Sequence, residues 1–138
     1  MTSEALASSY LVKATKRLRV LDVLTDEEAY LDVVREAQEI VELALKGMLR
    51  SIGVEPPRVH DVGPLVVEHR GRLAPLSAAE AEDLARISKW LRKEREFAFY
   101  GDVDLIPTDE YTSDDAERAR RDARRAVEQA RKVIGPAD

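Results

Sequence analysis

From Val33 to Ile52 the apolar residues return at every third or fourth place: Val33, Val34, Ala37, Ile40, Val41, Ala44, Leu45, Met48, Leu49 and Ile52. That recurrence fits an α-helix and no other regular structure. The apolar arc is wide enough to touch two neighbours at once, so the helix is expected near the middle of a packed core. Thr25-Asp26-Glu27-Glu28 reads as its capping box, threonine at N-cap and glutamate at N3. Gly53 supplies its stop, and Pro56-Pro57 forbids continuation.

The rest of the chain carries the same period. A first helix is expected over about Leu6–Leu24, with Leu11, Ala14, Leu18 and Leu21 on one side. A short third helix starts near His60-Asp61 and ends before Gly71. Ser77-Ala78-Ala79-Glu80 is a second capping box, opening a fourth helix that ends near Tyr100-Gly101. After a connector, Thr112-Ser113-Asp114-Asp115 caps a last helix that runs to about Ile134 and is closed by Gly135-Pro136. No period-two pattern with turn signals, internal repeat or low-complexity tract appears. The expectation is an all-α, antiparallel up-and-down bundle of four to five helices, one domain over 1–138 with its core over about 5–134.

Composition narrows the function. A formal net charge of −5 gives no global positive field to draw in nucleic acid, so any RNA contact must come from a local patch. Zero cysteines exclude disulfides and thiolate metal sites. No basic-then-apolar leader opens the chain and no apolar run approaches about 18 residues, so a cytoplasmic protein is expected. The absence of Asn, with only Gln38 and Gln129, beside many ion-pairing residues is a composition common among thermophiles.

One residue breaks the helical pattern. With Leu84 as reference and about 100° per residue, Ile87, Leu91 and Ala98 fall within roughly 60° and form an apolar stripe. Arg95 lands inside that stripe, at about 20°. A guanidinium there is costly unless it meets an acceptor, a partner chain or a ligand. Arg92 flanks it on the same side.

The segments Ala37-Gln38-Glu39-Ile40-Val41-Glu42-Leu43-Ala44-Leu45-Lys46, Gly53-Val54-Glu55-Pro56-Pro57, His60-Asp61-Val62-Gly63 and Arg95 through Asp102, in this order, resemble the HEPN domain family, most nearly its small stand-alone archaeal and bacterial members. The resemblance covers about residues 5–134. It implies a helical bundle that dimerises, with a functional groove at the dimer interface. Many relatives are metal-independent ribonucleases with an arginine followed, after four to six residues, by a histidine; some are toxins paired with a small MNT nucleotidyltransferase. Others lack the motif and serve as binding or scaffold domains.

Here the histidine is missing. Counting from Arg95, its permitted places hold Tyr100, Gly101 and Asp102; counting from Arg92, they hold Phe97, Ala98 and Phe99. Arginine suits phosphate, because its fork stays charged and binds bidentately. A base near neutral pH is another matter: histidine titrates at about 6.5 and tyrosine at about 10. The expectation is therefore a catalytically degenerate homodimer, not an efficient enzyme, whose groove at Arg92, Arg95 and Tyr100 binds a nucleotide, RNA or an MNT-type transferase in a toxin–antitoxin-like system. The alternative is a metal-independent ribonuclease toxin using Arg95 with Tyr100 or His60 as base. In related toxins a tyrosine beside the motif receives adenylyl groups, which gives Tyr100 a second candidate role.

No cofactor or metal is expected. His60 and His69 do not have helical metal spacing, and the acidic connector at Asp102, Asp104, Asp109 and Glu110 lacks the ordered ligands of an EF-hand. Trp90, Phe97 and Phe99 read as core or dimer contacts before base-stacking platforms. Two basic runs, Lys13–Arg19 and Arg118–Arg125, mix with acids as a solvated face does; sharing one face, they would hold phosphates.

Overall fold

A computed structural model of the chain describes residues 3–100 and 111–135, and of residues 95–100 the backbone alone. Among the described residues there are five α-helices and no strand: α1 (Ser3–Asp26), α2 (Tyr30–Ser51), α3 (Gly63–Glu68), α4 (Ala78–Tyr100) and α5 (Ser113–Ile134). A 3₁₀ turn at Arg70–Arg72 follows α3. The all-α bundle expected from the period is the fold that forms.

α2 is its centre, packed against α1, α4 and α5. From Val33 to Leu49 every apolar residue of the stripe is buried, and Ile52 packs against the same cluster from the helix end. Each fully buried Leu, Ile or Met side chain contributes about 1.5–3 kcal/mol relative to exposure. Gly47 lets the helices close up: a Cβ there would stand 3.2 Å from both Tyr10 Cβ of α1 and Ile134 Cδ1 of α5. A second close approach joins α3 to α4, where a Cβ on Gly63 would meet Ala85 Cα at 3.0 Å and Ala85 O at 3.1 Å.

Two of the three expected caps form. Ser77 Oγ accepts from the Glu80 N–H at 3.1 Å while Glu80 Oε1 accepts from the Ser77 N–H at 2.9 Å. Thr112 and Asp115 make the same reciprocal pair at the start of α5. Thr25 does not cap α2. It lies in the last turn of α1, its hydroxyl donating to Leu21 O at 2.6 Å, and the N-cap of α2 is Ala29, with no side-chain cap. The four residues end one helix instead of starting the next. Glu28 adopts φ +57°, its N–H donating to Thr25 O while the Ala29 N–H donates to Leu24 O. This is a Schellman closure, and a residue in that left-handed conformation cannot be a third helical position. The end of α2 repeats it with glycine: Gly53 has φ +81°, its N–H donating to Arg50 O and the Val54 N–H to Leu49 O.

α3 begins later than its sequence suggested, at Gly63 and not at His60. Asp61 still serves the helix start, its Oδ1 accepting the Gly63 N–H at 3.0 Å.

Candidate functional site

The site is organised by α4. Leu84, Ser88 and Leu91 are buried, and Arg92, one turn after Ser88, is partly so. Ser88 is polar on a core-facing line because it has a partner: its hydroxyl donates to Asp61 Oδ1 at 2.7 Å. One carboxylate oxygen thus pins the loop before α3 both to its own backbone and to α4. The pinning point lies about 6 Å of helix rise before Arg92 and about 10 Å before Arg95.

Helix α4 continues through Tyr100, so Arg95 and Tyr100 keep helical register. Relative to Leu84 the positions of Arg95, Arg92 and Tyr100 stand at roughly 20°, 80° and 160°, an arc with Arg92 in its middle. The side chains of Arg95 and Tyr100, with Phe97 and Phe99, lie outside the described residues, as does the acidic connector at Asp102, Asp104, Asp109 and Glu110. Tyr111, which sequence reasoning passed over, anchors the start of α5 to this helix: it is buried, and its hydroxyl donates to Glu94 O at 3.0 Å, with Glu94 Oε2 at 3.1 Å. Its place just ahead of the Thr112 cap was the available signal.

His60 is held by α2. Its Nδ1 lies 2.8 Å from Glu42 Oε1, on a side chain about half exposed. The same carboxylate accepts from Lys46 Nζ at 2.9 Å and Gln38 Nε2 at 3.1 Å. Burial pushes the Glu42 carboxyl up, but the hydrogen bonds from Lys46, His60 and Gln38 outweigh it and hold the group below its ordinary value. A carboxylate on Nδ1 favours the tautomer with Nδ1–H, leaving Nε2 to accept a proton. Sequence reading gave Glu42 no partner, because His60 sits 18 residues away on a loop.

An open cleft of about 280 Å³ faces this pair, lined by Arg17, Glu39, Glu42, Leu43 and His60. Arg17, from the first basic run, is engaged by Glu36 and Glu39, both at 2.8 Å. With two carboxylates against one guanidinium and one imidazole, the cleft is not a phosphate attractor. Among the described residues no three His, Cys, Asp or Glu side chains come together in a way that would hold a metal ion. No helix there is long and apolar enough to cross a membrane.

Compared with known proteins, the chain matches the family model described as HEPN domain over residues 7–136. No curated protein and no solved structure matches it.

Proposed function

The chain belongs to the HEPN domain family, and from that premise we propose that it is a nucleotide- or RNA-binding member without efficient ribonuclease activity, its groove formed by Arg92, Arg95 and Tyr100. The supporting observation is the line of α4: Leu84, Ser88 and Leu91 are buried, and the next position on that line belongs to an arginine. An arginine there is suited to a phosphate or a partner's acid, whereas the place of the motif histidine holds Tyr100. General acid–base help typically contributes about 10²- to 10⁴-fold, which a tyrosine of ordinary pKa does not supply. In this reading the protein is a cytoplasmic homodimer and the recognition half of a two-component, toxin–antitoxin-like system with an MNT-type nucleotidyltransferase.

The test is RNA cleavage in EDTA together with RNA binding, comparing wild type, Arg95→Ala and Tyr100→His. Expected are a silent wild type that binds RNA, weaker binding in Arg95→Ala, and cleavage gained by Tyr100→His. Wild-type cleavage that Arg95→Ala abolishes would overturn the reading. It would favour the second one, a metal-independent ribonuclease, which the His60–Glu42 pair supports by presenting an imidazole oriented by a carboxylate. His60→Ala then abolishes the same cleavage, and if it does not, Tyr100 is the remaining candidate base.

A further inference from the structure

The basic run of α5 divides between two neighbours. Arg120 and Arg124 turn to Asp22 of α1, while Arg118, Arg121 and Arg125 turn to α4. On the α4 side they border a cleft of about 220 Å³ lined by Asp83, Arg86, Ile87, Arg118, Arg121 and Asp122. Of the groups lining it, three guanidiniums (Arg86, Arg118, Arg121) face two carboxylates (Asp83, Asp122), a local excess of about one positive charge on an otherwise acidic chain.

The hydrogen-bond pattern sets the cleft apart from an ordinary ion-pair network. Arg118 Nε and Arg121 Nε each stand 3.9 Å from a different oxygen of Asp122, close enough for attraction and too far for a hydrogen bond. Arg118 is held by stacking instead, its guanidinium carbon 3.8 Å from the centroid of Trp90. Stacking fixes the plane of a guanidinium and leaves its N–H edge undirected to any protein acceptor. Both side chains are more than half exposed, at 51% and 62%, so both forks reach solvent at the cleft mouth. Asp122 beneath them is largely buried. Its carboxyl is pushed above its ordinary value by that burial, and the pull of Arg121, Arg118 and Arg125 does not reverse the shift.

We propose that this α4–α5 cleft is a phosphate-binding site, in which Arg118 and Arg121 grip the oxyanions of a phosphate group between them and Trp90 holds the first guanidinium in place. The site is separate from the groove proposed above: Arg86 and Trp90 stand about 120° and 160° around α4 from Arg92, and about 21 and 15 Å of helix rise before Tyr100. It therefore stands or falls on its own. The phosphate belongs to an RNA strand or to a free phosphate compound, and the two sources are told apart by probe.

The experiment titrates wild type, Arg121→Ala, Arg118→Ala, Asp122→Asn and Arg124→Ala with inorganic pyrophosphate by calorimetry. In parallel, a labelled oligouridylate is followed by anisotropy over a series of salt concentrations. Expected is a loss of about tenfold or more in each cleft arginine variant, no change in Arg124→Ala, and several-fold tighter binding in Asp122→Asn, whose carboxylate competes for the same forks. Arg121 is exposed, so its replacement leaves the fold intact, and a thermal melt of each variant checks this. Pyrophosphate binding alone identifies a free phosphate. Oligouridylate binding whose log–log salt slope shrinks by about 0.7 in Arg121→Ala identifies a strand. A wild type that binds neither probe, or an Arg121→Ala and Arg118→Ala pair that binds as wild type does, overturns the proposal.

Discussion

Two glycines sit at helix contacts, and the atoms around them decide what each tolerates. At Gly63 an added methyl would meet Ala85 Cα and O, which are backbone and cannot step aside. Gly63→Ala is expected to cost about 1–3 kcal/mol by overpacking and to prise the Asp61 loop from Ser88. At Gly47 the nearest atoms are Ile134 Cδ1, which can rotate, and Tyr10 Cβ, which is fixed to the α1 backbone, both at 3.2 Å, with Ala7 O at 3.4 Å. There the gain of about 0.8–1 kcal/mol in helix propensity offsets part of the crowding, so Gly47→Ala is expected to cost less than Gly63→Ala. Urea denaturation of the two variants separates the cases. Neither glycine announced itself in the sequence, because a close approach is a property of two helices and the sequence shows one at a time. The same limit hid Glu42 and Ser88, whose partners lie 18 and 27 residues away.

The elements divide by how local their signals are. Ser77-x-x-Glu80 and Thr112-x-x-Asp115 form as read, because both partners of each pair lie within one turn. Thr25-x-x-Glu28 carries the same letters and closes α1 instead, since a pattern of four residues does not say which side the helix lies on. The α1 and α2 closures make a natural comparison. Both use one left-handed residue, a glutamate in the first and a glycine in the second. Glu28→Gly is expected to raise stability by about 1 kcal/mol and Gly53→Ala to lower it by a similar amount. Ser77→Ala is expected to cost about 1 kcal/mol by removing a functioning cap. All three are readable as shifts in denaturant midpoint. The core of α2 was legible residue by residue, because the 3.6 period is repeated over five turns. The candidate site was legible only as far as the position of Arg95, which violates a period, and Arg92 beside it; the loop docking that frames them was not.

At the scale of the molecule, three carboxyls among the described residues are shifted, and in two directions. Glu42 and Glu80 are held below their ordinary value, Glu42 by hydrogen bonds from Lys46, His60 and Gln38 that outweigh its burial, and Glu80 first by the Ser77 N–H. The stability these groups contribute is present above their unfolded value of about 4.5 and is lost as pH falls through their lower folded values. Asp122 acts the other way: raised by burial, it favours the folded state below its unfolded value of 3.8 and loses that contribution as pH rises through its higher folded value. Acidification below about pH 4.5 is thus expected to lower the urea midpoint of the wild type. Asp122→Asn is expected to be more stable than wild type at pH 7, with the difference vanishing below pH 3.8.

The apolar face of α2 is covered by α1, α4 and α5, and that cover has a consequence for exchange with solvent. The buried stripe in its middle, Ile40, Val41, Ala44 and Leu45, lies away from both helix ends and beneath three neighbours at once. The amide protons of these residues are expected to exchange with deuterium only when the entire bundle opens, at a rate set by the global unfolding equilibrium. A single peptide from this helix, followed by mass spectrometry, would then act as a thermometer for the whole protein. Any ligand that binds the folded state, whether at the Arg92 arc or in the cleft beneath Arg118 and Arg121, would register there as slowed exchange, tens of residues from where it binds.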